Sequence, residues 1–136
     1  MESSLITLDT SALVTLLDRR DPDHRRVRQA FVADRGPYLV SAWILAEIGY
    51  FAETRLGAPV VAAFLGDLES GAFALECGDR DVPRIRELVS RYADLPLGVA
   101  DAAVIACAER NGGRVLTLDV RDFGVVAKEG RITVHP

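Results

Sequence analysis

Apolar and polar positions along the 136 residues fall into short apolar runs separated by longer stretches with helical spacing. Residues 5–8 form the first apolar run, and from Ser11 to Arg20 the leucines 13, 16 and 17 recur on one helical face. Asp21-Pro22 predicts an N-cap followed by proline at the first helical position, opening a second helix that runs to about Asp34 and breaks at Gly36-Pro37. Tyr38-Leu39-Val40 predicts a strand, Ser41 a cap, and residues 42–56 a helix. Gly57-Ala58-Pro59 separates that helix from the next, over 60–69, and Gly71 leads into an apolar run over 72–77 read as a strand. A helix over 82–92, a loop over 93–96 and an alanine-rich helix over 98–110 come next, the last stopped by Asn111-Gly112-Gly113. Residues 115–118 predict a strand, 119–124 a turn or short helix, and 131–134 a final strand.

Strands that alternate with helices imply crossover connections. The expected fold class is therefore α/β, a three-layer α/β/α sandwich around a parallel sheet of about five strands. The length suits one domain over residues 1–136, large enough to bury a core without disulfides or a structural metal. No run approaches the ~18 to 20 apolar residues of a membrane span, and Met1-Glu2-Ser3-Ser4 lacks a basic signal-peptide flank, so a soluble cytoplasmic protein is expected.

Charge and reactive residues narrow the chemistry. The net charge of -4 argues against a protein that grips nucleic acid through a general basic surface, but not against a nuclease whose acids are bridged to phosphate by cations. Of the 16 Lys and Arg residues only Lys128 is a lysine, and no glycine-rich segment ends in Gly-Lys-Ser/Thr, which excludes phosphate-loop nucleotide binding. Cys77 and Cys107 lack the paired spacing of zinc sites and read as buried free thiols; His24 and His135 are isolated. The arginine-rich run over residues 19–28 reads as a solvated helix face or as a contact for phosphate or an acidic partner.

Four acids fit their surroundings poorly. Asp9 ends the first apolar run, at the end of a parallel strand where ligands gather, and is followed by the hydroxyls of Thr10 and Ser11. At about 100° per residue Glu47 falls within an apolar arc between Trp43 and Phe51, where a carboxylate needs a partner or a path to water. Asp101 lies beside Leu97, Val104 and Ile105 on an apolar face, although a first-turn acid also suits the helix dipole. Asp119 closes a second apolar run that contains Thr117, with turn capping as the competing explanation there and the better one for Asp122. Asp94 is a rim candidate or a turn residue. Carboxylates without histidine suit Mg2+ or Mn2+, and paired ions of this kind can activate water for phosphoryl displacement.

Leu-Asp-Thr-Ser-Ala-Leu at 8–13, Ile-Leu-Ala-Glu-Ile at 44–48, Asp-Leu-Pro-Leu-Gly-Val-Ala-Asp-Ala-Ala at 94–103 and Leu-Thr-Leu-Asp-Val-Arg-Asp-Phe at 116–123 together resemble the PIN-domain ribonucleases, specifically the VapC-type toxins of bacterial toxin-antitoxin pairs. The resemblance implies that Asp9, Glu47, Asp101 and Asp119 are a catalytic quartet holding one or two Mg2+ or Mn2+ ions. It implies Asp94 and Thr117 as acidic and polar neighbours of that site. Implied with them are hydrolytic cleavage of RNA, often tRNA or rRNA, a homodimer, and a VapB-type antitoxin that alone contacts operator DNA. The chain has Gly98 where many relatives carry a further acid or polar group. A haloacid-dehalogenase phosphatase would need a second aspartate at Ser11 and a lysine, and a response-regulator receiver an acidic pair ending the first strand and a lysine near the end of the fold, where only Lys128 is available. The remaining alternative is a catalytically silent PIN-like module that scaffolds a protein or RNA partner.

Overall fold

The computed structural model describes residues 5–34, 36–76 and 78–135; Cys77, the expected end of the third strand, lies outside them. β1 (Ile6–Leu8) is buried along its whole length because it occupies the middle of the sheet, where a parallel strand is covered on both faces. β2 (Tyr38–Ser41) flanks it on one side and β4 (Arg114–Leu116) on the other, with Thr7 level with both Leu39 and Val115. β3 (Phe73–Glu76) and β5 (Thr133–His135) form the edges, giving the all-parallel order β3-β2-β1-β4-β5. Edge position shows in β3, where Phe73 is buried while Leu75 is exposed.

The order reverses direction at β1. Right-handed crossovers therefore place α1 (Thr10–Leu17), α2 (His24–Ala33), α3 (Leu45–Arg55) and α4 (Ala58–Ser70) on one face of the sheet. α5 (Val82–Arg91), α6 (Val99–Arg110) and α7 (Val120–Ala127) take the other. α6 lies across β1, β2 and β4 with α5 at its back, so residues 102–108 are buried all round; the small alanines let it approach the strands closely. Cys107 belongs to this core as a free thiol. Among the described residues no helix is long and apolar enough to cross a membrane.

Several boundaries differ from the pattern for local reasons. Asp21-Pro22 does not open α2: the Asp21 carboxylate accepts the Asp23 amide at 2.8 Å, a side-chain turn that uses up the cap, and the helix begins at His24. Ser41 does act as a cap, accepting the Trp43 amide at 3.2 Å, but the first turn, Ala42–Ile44, is a 3-10 helix before α3 begins. The expected short helix after Asp119 extends to Ala127 because Phe123 and Val126 are buried against the core. Gly113 stands with φ at 82°, and a Cβ there would lie 2.7 Å from the Arg131 carbonyl, so only glycine lets the lead into β5 pass this close.

Candidate active site

The reversal of strand order between β1 and β4 opens a crevice at the carboxyl ends of the strands, the usual ligand position in an open parallel sheet. Asp9 sits directly there, one residue beyond β1, its amide hydrogen-bonded to the Leu116 carbonyl at 3.0 Å and its carbonyl receiving the Leu13 amide of α1. Its side chain is buried, 2% exposed. Oδ2 accepts the hydroxyls of Ser11 at 2.8 Å and Thr117 at 2.7 Å. Those hydroxyls also stand 3.2 Å from one another, while Ser11 Oγ accepts the Leu118 amide at 3.0 Å and Thr117 Oγ1 the Asp119 amide at 2.9 Å. Two chain segments more than a hundred residues apart are thus clamped to one carboxylate oxygen.

The other oxygen is left over. Asp9 Oδ1 is buried without a hydrogen-bond partner. Burial consequently raises the Asp9 pKa above the ordinary value, against the pull of the Thr117 and Ser11 hydroxyls; the Thr10 and Ser11 amides favour the anion too, although the side chain makes no capping bond to the helix. A carboxylate oxygen in this condition needs a proton or a cation. Thr10 Oγ1 is likewise buried and unpartnered.

Asp101, in the first turn of α6, is half-buried, and its pKa is pushed up to about 6. Burial is the main cause, followed by the negative charges of Asp9, Asp119, Asp122 and Glu47 in that order. The repulsion felt by Asp101 comes from the other three sequence-predicted acids, which groups them with it at the carboxyl-end side of the sheet. It also adds Asp122, which local sequence explains as a turn cap; its position in the first turn of α7, three residues after Asp119, is the one sequence signal that points to the crevice. Asp119 does cap α7, its Oδ1 accepting the Asp122 amide at 3.2 Å, so it has a structural role beside its place at the crevice. It also lies three residues past β4 instead of ending the strand.

Glu47 departs from expectation. It is exposed, and Trp43 is 39% exposed beside it, whereas Ile44, Ile48 and Ala52 carry the buried face. The apolar arc drawn from a uniform helix is too wide, because the first turn is 3-10 and its Trp43 lies against the loop at Gly78 instead of in the core. Asp94 is exposed in the turn between α5 and α6. Among the described residues, no three His, Cys, Asp or Glu side chains already stand in a metal-ligating arrangement.

Residues 6–129 match the PIN domain family. The chain belongs to the PIN-domain family. Within that family it is 36% identical over 133 residues to ribonuclease VapC26 of Mycobacterium tuberculosis, a match covering 95% of this chain and 98% of that protein. The fold is shared with the crystal structure of VapC20 of Mycobacterium tuberculosis, described as a sarcin-ricin loop cleaving toxin, at a TM-score of 0.80 and 20% identity, covering 96% of this chain and 99% of the other. It is shared too with DNA-bound VapBC from Salmonella typhimurium, at a TM-score of 0.71 and 21% identity over 96% of each chain. This PIN domain thus carries its acids at the reversal point of a five-stranded parallel sheet.

Proposed function

We propose that this chain is a metal-dependent endoribonuclease, the toxin of a type II toxin-antitoxin pair, with Asp9, Glu47, Asp101 and Asp119 as its metal-holding and catalytic acids. The observation that carries the reading is the buried, unpartnered Oδ1 of Asp9 in a crevice with Asp101, whose pKa the neighbouring acids help to raise. The relatives named as ribonuclease and as toxin supply the substrate class. An all-oxygen donor set fits Mg2+ or Mn2+, which keep several waters and so need few direct protein ligands. A bound divalent cation would supply the charge neutralisation and water activation that phosphodiester hydrolysis needs.

The chain's own residues divide the remaining work. Ser11 and Thr117 hold Oδ2 of Asp9, which fixes the carboxylate plane and keeps Oδ1 free for a cation. Asp101 and Asp119 approach from α6 and from the loop after β4, and Glu47 from the rim. Asp122 adds negative charge that favours a cation and, without one, repels a phosphate. The chain acts as a single PIN domain in the cytoplasm, as a homodimer, on tRNA or rRNA, and is silenced by a VapB-type antitoxin through which alone it meets operator DNA.

Purified protein with Mg2+ or Mn2+ is expected to cut RNA, and Asp101→Asn to reduce the rate on the order of a hundredfold or more while the fold is kept. Equal cleavage by the variant would overturn the site assignment. Failure of the parent protein to cut any cellular RNA would favour the scaffold alternative.

A further inference from the structure

Trp43 is the sole tryptophan of the chain and remains 39% exposed. Single exposed apolar side chains are common, but this one is held as a fixed plate. Its amide donates to Ser41 Oγ at 3.2 Å, and its indole Nε1–H donates to the Gly78 carbonyl at 2.9 Å. A Cβ on Gly78 would sit 2.8 Å from both Cδ1 and Nε1 of the ring, so glycine is what lets the indole lie against this loop. The ring borders a groove formed with Ala42, Gly78 and Asp79. It stands two residues past the end of β2, the strand paired with β1, at the same end of the sheet as Asp9. Glu47, whose charge reaches Asp101, lies about one helical turn further on.

We propose that Trp43 is a stacking platform for an unpaired nucleobase of the RNA, holding the strand beside the acidic crevice. The inference rests on the ribonuclease reading. A chain of net charge -4 with an acidic crevice has little pull on a polyanion beyond a crevice cation and the arginines of residues 19–28, so uncharged contacts to the bases add affinity that the crevice lacks. Stacking on a rigid indole is such a contact and tolerates any base. Asp79, on the same groove, offers an acceptor to the amino or imino hydrogens of a base edge and would repel a phosphate; the groove suits a base and not the backbone.

Because Trp43 is the only tryptophan, its emission reports on the platform directly. The Asp101→Asn protein is titrated with unlabelled single-stranded RNA of about ten nucleotides, a length sufficient for several stacked bases. Quenching of Trp43 emission is expected, with the same midpoint as binding measured by anisotropy of a labelled copy. Trp43→Phe is expected to keep most of the affinity. Trp43→Leu, which preserves apolar bulk without an aromatic face, is expected to weaken binding about tenfold or more and, with Asp101 restored, to raise KM with kcat little changed. RNA binding with unchanged emission, or equal affinity of the Leu and Phe variants, overturns the platform. So does quenching by an antitoxin peptide but not by RNA, which would assign the ring to a protein partner. If the parent cuts RNA and Trp43 is silent, only the platform falls; if the parent neither binds nor cuts RNA, the ribonuclease reading falls with it.

Discussion

Two clusters of charge in this molecule are balanced in opposite ways. On the flank where α5, α6 and the end of α7 meet, Arg84 bonds Glu109 through Nε and Nη2 at 2.8 Å each, reaches Glu129 at 2.8 Å and also pairs with Glu87. Glu129 takes Arg91 at 2.9 Å and the Tyr92 hydroxyl besides, and although burial pushes its pKa up, these donors together hold it down at about 2. In the crevice, by contrast, Asp9, Glu47, Asp101, Asp119 and Asp122 have among the described residues a single ion pair, the 4.0 Å contact of Asp122 with the exposed Arg121. Matched charges on the flank join helices; unmatched charges in the crevice are a standing cost that an added cation or a proton removes. The two regions should therefore respond to substitution with opposite signs.

The flank gives the largest effect. Arg84 is 15% exposed and its partners Glu109 and Glu129 are 10% and 17% exposed, so Arg84→Ala leaves Glu109 half desolvated with no cation and Glu129 with Arg91 alone. A loss of about 3 kcal/mol in urea unfolding is expected, with RNA cleavage per folded molecule unchanged. A loss below about 0.5 kcal/mol would mean that the network is only a surface arrangement and that flank and crevice do not differ in this way.

Next comes the crevice with its cation. Mg2+ or Mn2+ at about a hundred times its dissociation constant should stabilise the parent by about 2.7 kcal/mol and raise Tm accordingly. Asp9→Asn should abolish most of that gain, since it removes the anionic oxygen that has no other partner. An equal rise in Tm for both proteins would place the ion elsewhere.

The fold is most legible in the sequence where one segment decides its own fate. Ile6 and Leu8 are apolar and Thr7 is β-branched because β1 is buried on both faces, and the abrupt Asp9 after them marks the strand end that faces the crevice. It is least legible where partners come from afar. That Ser11 and Thr117 close on the same oxygen of Asp9 depends on β1 and β4 being neighbours, which no local spacing encodes. The Arg84 network joins residues 25 and 45 positions apart, and no local pattern announces it. A uniform helical wheel misplaces Glu47 in burial, and Asp122 escapes notice because a turn explains it well enough locally. Neither error concerns residue type; both concern where the chain turns in space.

The smallest effect is the most diagnostic, because its sign is opposite to that expected for an acid in the first turn of a helix. Asp101 has a folded pKa of about 6 against an ordinary 3.8, so the folded state binds its proton more tightly than the unfolded chain does. Its favourable contribution is full below the unfolded value and is lost as pH rises through about 6. Without metal, Asp101→Asn should thus be more stable than the parent near neutral pH, and the gap should close as pH falls toward about 4. Water reaches the open side of Asp101 and screens the repulsion, so the gap should be about 1 kcal/mol, well below the full linkage value. Glu129 behaves oppositely: its pKa is depressed, and its contribution is lost as pH falls below the ordinary carboxylate range toward about 2. That loss is common to parent and variant and cancels in their difference, which is why the pair of urea titrations in a chelating buffer, and not either one alone, isolates the crevice. A variant less stable than the parent at neutral pH would mean that Asp101 is already compensated, and that the crevice is built like the flank.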